Sequence, residues 1–407
     1  MKFNKWTLGL AAVGAVSMAS AVRADEAPKL VPLNTALSST VISGYVDVAA
    51  QYNIGNYGPL AGVPAGTSGS KIDSFSLNNV VISLDKPEDE SPWAAGYHVD
   101  FNAGTDAVGV GLGNGTQGTI ASGTASAAIR QAYVVVRTPI GNGIDWKVGI
   151  QDDIIGYEGN TDGANPNYTR SVGYFTEPTT LLGIIGAYKI TDAVTVQAGL
   201  VDATSPLLDA YGNDFVVDPT TSVVTGFPSS SDKTVAASIA FTAPDSFGWA
   251  KGATLNLGAL LNIDKGGQYN YYAGLTVPTP MSALKVGASF DLVSVNNAGV
   301  NASDLGPNSK NDEGWVIGAY SSFQATDKLA FNLRGEYFDL TGATFNPYLG
   351  TDGKGEEVTA TIQYNLWANV ISRAEFRWDH IDSGTAFSNS GGNADSFLLA
   401  ANLIYVF

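Results

Sequence analysis

Two groups of charged side chains, far apart in the sequence, stand out as candidates for chemistry. The first group occupies the segment 152–179 and consists of Asp152, Asp153, Glu158, Asp162, Arg170 and Glu177. The second group lies near the end of the chain and consists of Arg334, Glu336, Arg373, Glu375 and Arg377. Carboxylate and guanidinium groups form strong charge-assisted hydrogen bonds, and where they line a passage they attract or repel ions. These groups therefore indicate recognition of ions or polar solutes.

Bond-making chemistry has few candidates in this sequence. The chain has no cysteine, which excludes thiolate metal sites and cysteine nucleophiles. His98 and His380 are its only histidines, so a zinc site with three histidines is impossible. The stretch 113–118 matches G-x-G-x-x-G but lacks the buried strand and the helix that must flank a dinucleotide site. We predict no catalytic residue, no cofactor and no metal site.

The composition is acidic and poor in charge. Of the 407 residues, 38 are acids and 21 are bases, which gives a formal net charge of −17. Only 14% of the residues are charged, against about 25% in an average protein. The acidic balance argues against nucleic acid as a partner, and the 10% of aromatic residues argues against disorder.

The first residues have the pattern of a secretory signal peptide. Lys2 and Lys5 precede an apolar stretch over 6–16, which is too short to anchor the chain in a bilayer. We predict cleavage near Ala24, so that 1–24 is a signal peptide and 25–39 a short periplasmic segment. After this stretch no apolar run reaches the roughly 20 residues of a membrane helix.

Alternation of apolar and polar residues is the dominant pattern after residue 39. In the segment 329–338, for example, Phe331 and Leu333 alternate with Asn332 and Arg334. Since successive side chains of a strand point to opposite faces, each such strand has one apolar and one polar face. The pattern predicts about sixteen strands, at 40–52, 73–85, 93–103, 126–138, 143–152, 180–190, 193–203, 233–242, 253–264, 268–278, 284–295, 313–323, 328–339, 355–365, 369–381 and 395–407. The strands at 73–85 and 126–138 alternate poorly.

Most links between these strands alternate between short and long, and the short link near 264–268 is the exception. The links at 141–143, 191–192 and 325–327 are short, whereas those at 104–125, 153–179 and 204–232 are long and polar. This regularity is typical of outer-membrane proteins. It predicts an all-β fold over 40–407: a transmembrane, antiparallel, up-and-down β-barrel with long extracellular loops and short periplasmic turns. A barrel of sixteen strands is wide enough to leave an aqueous lumen.

Several stretches resemble a known family of barrels. The run 139–149 (PIGNGIDWKVG) is similar to the short turn and fifth strand of the OmpL-like beta-barrel porin-2 family. So are 156–158 (GYE) and 165–171 (NPNYTRS), while 42–47 (ISGYVD) resembles the family's first strand. The resemblance implies a passive channel for small solutes in the outer membrane. The terminal Phe407 resembles the insertion signal that the outer-membrane assembly machinery recognises.

By resemblance to porins in general, the loop 152–179 is expected to fold into the lumen and form its constriction. The wall opposite this loop should come from the segments 328–339 and 369–381. Acids of the loop would then face bases of the wall across the passage. The predicted constriction consists of Glu158, Arg170, Arg334, Glu336, Arg373, Glu375 and Arg377.

A purely structural interpretation of the same charges stays open. Polar side chains inside a barrel often form pairs, and for Glu336, Arg373 and Glu375 such pairing is at least as well supported. Glu158 and Arg170 could equally fix the loop to the wall through a charge-assisted hydrogen bond, which would still shape the passage.

The favoured function is a porin, not an enzyme, that lets small hydrophilic solutes or ions diffuse passively through a water-filled lumen. Its partners would be outer-membrane lipid, these solutes or ions, the assembly machinery and, in a homotrimer, two further copies. One alternative is an outer-membrane barrel enzyme, for which only His380 with Asp382 and Ser383 could serve. The other is a transporter of hydrophobic substrates such as fatty acids.

Overall fold

Sixteen antiparallel strands close into one barrel in the computed structural model of the chain, as the sequence predicts. The structure describes residues 39–54, 73–107, 126–202, 216–217, 224–226, 233–263, 267–296, 312–340, 353–382 and 394–407. In chain order the strands are β1 (Val41–Ile54), β2 (Ser74–Lys86), β3 (Ala95–Gly104), β4 (Ser126–Thr138), β5 (Ile144–Asp152), β6 (Thr180–Lys189), β7 (Val194–Asp202), β8 (Val216–Val217), β9 (Val224–Gly226), β10 (Lys233–Thr242), β11 (Thr254–Asn262), β12 (Gly267–Pro278), β13 (Leu284–Asn296), β14 (Asp312–Gln324), β15 (Leu329–Leu340), β16 (Gly353–Trp367), β17 (Val370–Ile381) and β18 (Asp395–Val406). The short β8 and β9 form a separate pair, and the other strands form the barrel.

The first and last strands close the barrel. β1 pairs with β18, so that Tyr45 lies opposite Val406. At the end of this seam the backbone N–H of Phe407 donates to Gly44 O at 3.0 Å, and the N–H of Gly44 donates to Phe407 O at 3.0 Å. Closure leaves no open edge, which a sheet in lipid requires because the bilayer core offers no hydrogen-bond partners.

The predicted alternation separates an apolar outer face from a polar interior. On β15, Phe331 and Leu333 are 42% and 50% exposed, whereas Arg334 and Glu336 are buried. On β18, Leu399, Leu403 and Tyr405 are likewise exposed. This arrangement is the reverse of a water-soluble protein and fits a barrel surrounded by lipid. No helix in the described part of the chain is long and apolar enough to cross a membrane.

Two β-bulges explain why β2 and β4 alternate poorly in the sequence. On β2, Asn79 and Leu77 pair with the consecutive residues Asp47 and Val48, which leaves Asn78 as the additional residue. On β4, Arg130 is additional in the same way, between the paired Ile129 and Gln131. Each bulge places two consecutive polar residues in the interior, and a strict period of two therefore fails at these positions.

Most links follow the predicted alternation of short and long, with the longer link 243–253 and the short link 263–266 as exceptions. The links 87–94, 139–143, 190–193, 279–283, 325–328 and 368–369 are short and lie at one end of the barrel, called here the short-turn end. The other end is called here the long-loop end; the link 153–179 begins and ends there. Several strand ends differ from the prediction by one or two residues; β3 begins at Ala95, because Trp93 has a left-handed φ of 63° and belongs to the preceding turn.

Several predictions concern residues that lie outside the described part of the chain. These are the signal peptide 1–24, nearly all of the periplasmic segment 25–39, and the stretch 113–118. Most of the long links at 104–125 and 204–232 also lie outside it, as does Ser383 of the alternative enzyme site.

Candidate functional site

The link between β5 and β6 folds into the barrel and reaches the opposite wall. This inward loop comprises residues 153–179 and contains a 3-10 turn, Asp162–Ala164, and one short helix, α1 (Val172–Thr176). The side chain of Ser171 caps α1 by accepting the backbone N–H of Tyr174 at 3.0 Å. The loop contacts β15, β16 and β17, which lie across the barrel from β5 and β6 and are called here the facing wall.

Apolar contacts fix the start of the inward loop to the wall beside it. Ile154, Ile155 and Tyr157 pack in one cluster with side chains of β6, β7, β10 and β11. The ring of Tyr157 stacks on Tyr320 with 3.9 Å between centroids, and its hydroxyl lies 3.1 Å from Thr276 Oγ1. The loop therefore leaves β5 along a defined path before it crosses the lumen.

Two further apolar anchors hold the far part of the inward loop. Val172 packs with Val293, Val316, Phe338, Leu340 and Ile381, all of them on barrel strands. Tyr168 packs against Ala49 of β1 and two residues of β18, Leu398 and Ala400. Both loop residues are almost fully buried, so the loop is packed inside the barrel like part of a core.

Arg334 of β15 is the centre of the polar contacts between the loop and the facing wall. Its Nη1 donates to Glu158 Oε1 and to the carbonyl oxygen of Thr169, both at 2.7 Å. Its Nε donates to Glu357 Oε2 of β16 at 3.0 Å. Since Glu336 and Glu357 are direct cross-strand neighbours of like charge, a guanidinium group beside both is needed to hold them together.

Glu336 binds the start of α1. Its Oε2 accepts the backbone N–H of Val172 at 2.7 Å, and its Oε1 accepts that of Gly173 at 3.0 Å. The first N–H groups of a helix have no partner within the helix, and a carboxylate at this end also meets the positive end of the helix dipole. Glu336 therefore fixes α1 against β15.

Glu375 and Arg373 of β17 hold the middle of the inward loop through its backbone. Glu375 accepts the N–H groups of Tyr168 at 2.5 Å and Thr169 at 2.9 Å. Arg373 donates to the carbonyl oxygens of Asp162 at 3.0 Å and Asn165 at 2.5 Å. A loop without regular structure has unsatisfied backbone groups, and here charged side chains of the wall satisfy them.

The remaining predicted bases, Arg170 and Arg377, meet at one point of the loop. Arg377 donates to the carbonyl oxygen of Arg170 at 2.8 Å and pairs with Asp379 at 2.7 Å. Arg170 donates to Asp162 Oδ1 at 2.8 Å, and its guanidinium carbon lies 5.6 Å from the centre of the Tyr174 ring. Arg170 thus braces the loop internally, whereas Arg377 fixes it to the wall.

The structure brings all seven residues of the predicted constriction into one contact network. It differs from the expected arrangement, in which acids and bases face each other across open water. Glu158, Glu336, Arg373 and Glu375 are at most 5% exposed, and Arg170, Arg334 and Arg377 are fully buried. The interpretation that Glu158 helps to fix the loop agrees with its contact to Arg334, and the role of the seven residues in a constriction stays a prediction.

The predicted constriction omits three residues that belong to the network. Glu357 binds Arg334, Asp379 binds Arg377, and Asp162 binds Arg170. Strand parity could have found Glu357 and Asp379, because both share a face with polar residues of their own strands. Nothing in the sequence pairs Asp162 with Arg170, since their contact depends on the fold of the loop.

A second acidic group lies where the inward loop returns to β6. Burial and then the charge of Asp291 on β13 raise the pKa of Glu177 well above its usual value. Burial and then the neighbouring Asp152 raise the pKa of Asp153 in the same direction. The carboxylate of Glu177 lies against Gly156, whose left-handed φ of 110° and missing side chain permit this close approach.

A closed sixteen-stranded barrel with an apolar outer face and a loop packed inside defines the class of outer-membrane porins. A sequence model of the family described as "Putative beta-barrel porin-2, OmpL-like" matches residues 39–407. The chain belongs to this family, as the resemblance of 139–149 and 165–171 predicts, and it is an outer-membrane porin.

Solved structures of other outer-membrane proteins share the fold. The trimer form of OmpT of Vibrio cholerae is 13% identical, with a TM-score of 0.53 over 90% of this chain and 99% of that one. The channel DcaP of Acinetobacter baumannii is 12% identical, with a TM-score of 0.54 over 90% and 97%. An anion-selective porin of Comamonas acidovorans is 11% identical, with a TM-score of 0.52 over 91% and 99%. No curated protein matches the chain significantly, and no match favours the alternative enzyme or fatty-acid-type transporter.

Removal of the Arg334 guanidinium should destabilise the barrel strongly. Arg334→Gln leaves Glu158, Glu336 and Glu357 buried without their shared cation, which should lower the free energy of unfolding by about 3–5 kcal/mol. Urea unfolding in detergent micelles, followed by tryptophan fluorescence, measures the change. The control is Lys251→Gln, which removes an exposed ion pair with Asp245 and should cost at most about 1 kcal/mol. Equal effects of the two substitutions would contradict the central role of Arg334.

The stability of the protein should fall as pH rises through the titration of Glu177. Because its pKa is raised in the folded state, the folded protein holds a proton that the unfolded chain has already lost above about pH 4.3. The free energy of unfolding therefore decreases from that pH up to the raised pKa. In Glu177→Gln the slope should be smaller, because the amide stays neutral beside Asp291. Urea midpoints between pH 4 and pH 9 give the slope, with Glu90→Gln at an exposed turn position as the control. If Glu177→Gln shows the same slope as the unsubstituted protein, the Glu177 carboxyl is not the source of the pH dependence.

Proposed function

We propose that this porin lets small hydrophilic solutes or ions diffuse passively through its lumen, with the inward loop as the constriction. Charged groups at this constriction would set which solutes pass, since selectivity in channels follows from diameter and from the charges that line the passage. No energy source takes part: solutes follow their concentration gradient.

The observation that carries this proposal is the course of the inward loop. It extends from β5 to the facing wall and is held there by Arg334, Glu336, Arg373 and Glu375. A loop that crosses the barrel and is fixed on both sides divides and narrows the lumen at one depth. Because wall and loop are joined by buried hydrogen bonds, the width at this depth should be nearly constant over time.

We expect the selectivity between cations and anions to depend on the net charge of the network, although most of its charged groups are buried. Arg334 lies beside Glu158, Glu336 and Glu357, while Arg377 pairs with Asp379 and Arg170 pairs with Asp162, so acids neutralise much of the positive charge of the network. A buried charge still acts on an ion nearby, because the low dielectric constant of the surroundings screens it weakly. We infer that the net charge of loop and wall, not the −17 of the whole chain, decides between cations and anions.

Export and assembly of the porin follow the same proposal. The segment 1–24 would act as a signal peptide cleaved near Ala24, 25–39 would lie in the periplasm, and 40–407 would form the barrel. Phe407, which pairs with Gly44 at the closing seam, would be read by the assembly machinery. A homotrimer is proposed because the barrel shares its fold with the trimer form of OmpT.

Single-channel recording of the purified protein in planar bilayers tests this function. We expect stepwise ohmic currents, with a reversal potential in a salt gradient that gives the ion selectivity. A folded barrel that inserts without any current would contradict passive diffusion and would favour one of the two alternatives.

The position of the constriction can be tested with one introduced cysteine, because the chain has none of its own. Thr161 is the exposed residue of the inward loop, so Thr161→Cys offers an accessible thiol on the proposed constriction. A charged methanethiosulfonate reagent should lower the single-channel conductance of Thr161→Cys, and a reductant should restore it. The control is Ala368→Cys in the exposed turn between β16 and β17, where the reagent should leave the conductance unchanged. A conductance that is insensitive to modification at 161 would place the constriction elsewhere.

A further inference from the structure

Four polar side chains meet on the outer face of the barrel at its long-loop end. Glu356 of β16 lies directly opposite His380 of β17, and His380 lies opposite Asp395 of β18. Asp382 follows His380 by two residues. Since paired residues of antiparallel strands point to the same face, the register itself makes these side chains neighbours. Their strand neighbours Glu357 and Asp379 point inward to the network of the facing wall.

The imidazole of His380 is oriented by Asp395. His380 Nδ1 lies 2.9 Å from Asp395 Oδ1, and the same oxygen accepts the indole N–H of Trp378 at 2.9 Å. A carboxylate can only accept, so this contact places the proton of the neutral ring on Nδ1 and leaves a lone pair on Nε2. The same arrangement, in which a carboxylate holds one ring nitrogen and frees the other, orients most histidines that bind metals.

The free ring nitrogen lies among carboxylates at a spacing that suits a shared ion. Nε2 is 3.9 Å from Asp382 Oδ1, which is too long for a hydrogen bond. One ligand atom each of Glu356, His380 and Asp382 lie within 4.8 Å of one another. Two ligands at about 2.0–2.2 Å from one ion are separated by about 3–4 Å, so small side-chain movements would complete such a site.

Charge and access both favour a cation at this position. Lys354, two residues before Glu356, has its ammonium group 2.6 Å from Asp339 Oδ2 and is thereby held by another carboxylate. Glu356, His380, Asp382 and Asp395 all line one groove of about 850 Å³ that also includes Trp378. The side chains of His380 and Asp382 are 29% and 40% exposed, so an ion can reach them from solvent.

We propose that Glu356, His380 and Asp382 bind one divalent transition-metal ion of the Zn²⁺ class on the outer face of the barrel. The donor set of one imidazole nitrogen and two carboxylates suits such ions, whereas Ca²⁺ and Mg²⁺ prefer sites made of oxygen alone. Asp395 is a positioning residue that orients His380. The ion would join the ends of β16 and β17, and water would complete its coordination. This site is independent of the proposed passage through the lumen.

Metal titration of the untagged, full-length protein after treatment with a chelator tests the proposal. A polyhistidine tag must be absent because it would itself bind the metal. We expect one Zn²⁺ per chain by calorimetry, and one Co²⁺ per chain that gives visible absorption bands. His380→Ala should abolish this binding, and Asp395→Asn should weaken it by about 10–100-fold, the usual effect of removing the partner of a metal-bound histidine.

His98 provides the matched control, because it is the only other histidine of the chain. Its Nδ1 lies 3.0 Å from Asp85 and its Nε2 lies 2.9 Å from Asp100, so both nitrogens already have carboxylate partners. His98→Ala should therefore leave Zn²⁺ affinity unchanged. The heat-dependent gel mobility of each variant reports whether its barrel is folded. If a variant is not folded, the isosteric Glu356→Gln is tested in its place. Absence of binding to the unsubstituted protein, or equal binding in folded His380→Ala, would overturn the proposal, as would loss of binding in folded His98→Ala.

Discussion

The structure of the barrel interior depends on one constraint: charged side chains of the facing wall form hydrogen bonds with the backbone of the inward loop. A loop of largely irregular backbone lies inside the barrel, where its carbonyl and N–H groups need partners. Arg334, Arg373 and Arg377 donate to loop carbonyls, while Glu336 and Glu375 accept loop N–H groups. The bases of the wall thus bind the carbonyl groups of the loop, and the acids bind its N–H groups. Together these contacts give the loop one defined position.

This division of roles links the stability of the barrel to its function. Each charge of the network is buried and has a partner, so loss of one guanidinium leaves the remaining carboxylates buried without a counter-charge, which destabilises the fold. The same contacts fix the distance between loop and wall, which in the proposed function would set the width of the passage. A residue such as Arg334 would therefore stabilise the fold and, in the proposed function, shape the passage at the same time, and its substitution should change both.

Much of the fold could be predicted from the sequence, because a barrel in lipid has simple periodic requirements. Alternation gave the sixteen strands, and link lengths gave the two ends of the barrel. The alternation failed where the chain departs from a period of two residues. The bulges at Asn78 and Arg130 place consecutive polar residues inside, and Trp93 belongs to a turn. Strand parity also placed Arg334, Glu336 and Glu375 in the interior. It could not show that Glu336 binds the start of α1, since that contact joins residues 163 positions apart through the path of the loop.

The position of the inward loop can be measured directly by electron–electron double resonance between two spin labels. In the cysteine-free chain, Thr161→Cys labels the loop and Ala368→Cys labels the turn of the facing wall. If charged side chains hold the loop against this wall, the pair gives a single narrow distance distribution, as narrow as that of a reference pair of labels on two short turns. A broad distribution, or one that places residue 161 outside the barrel, would contradict a loop fixed across the lumen.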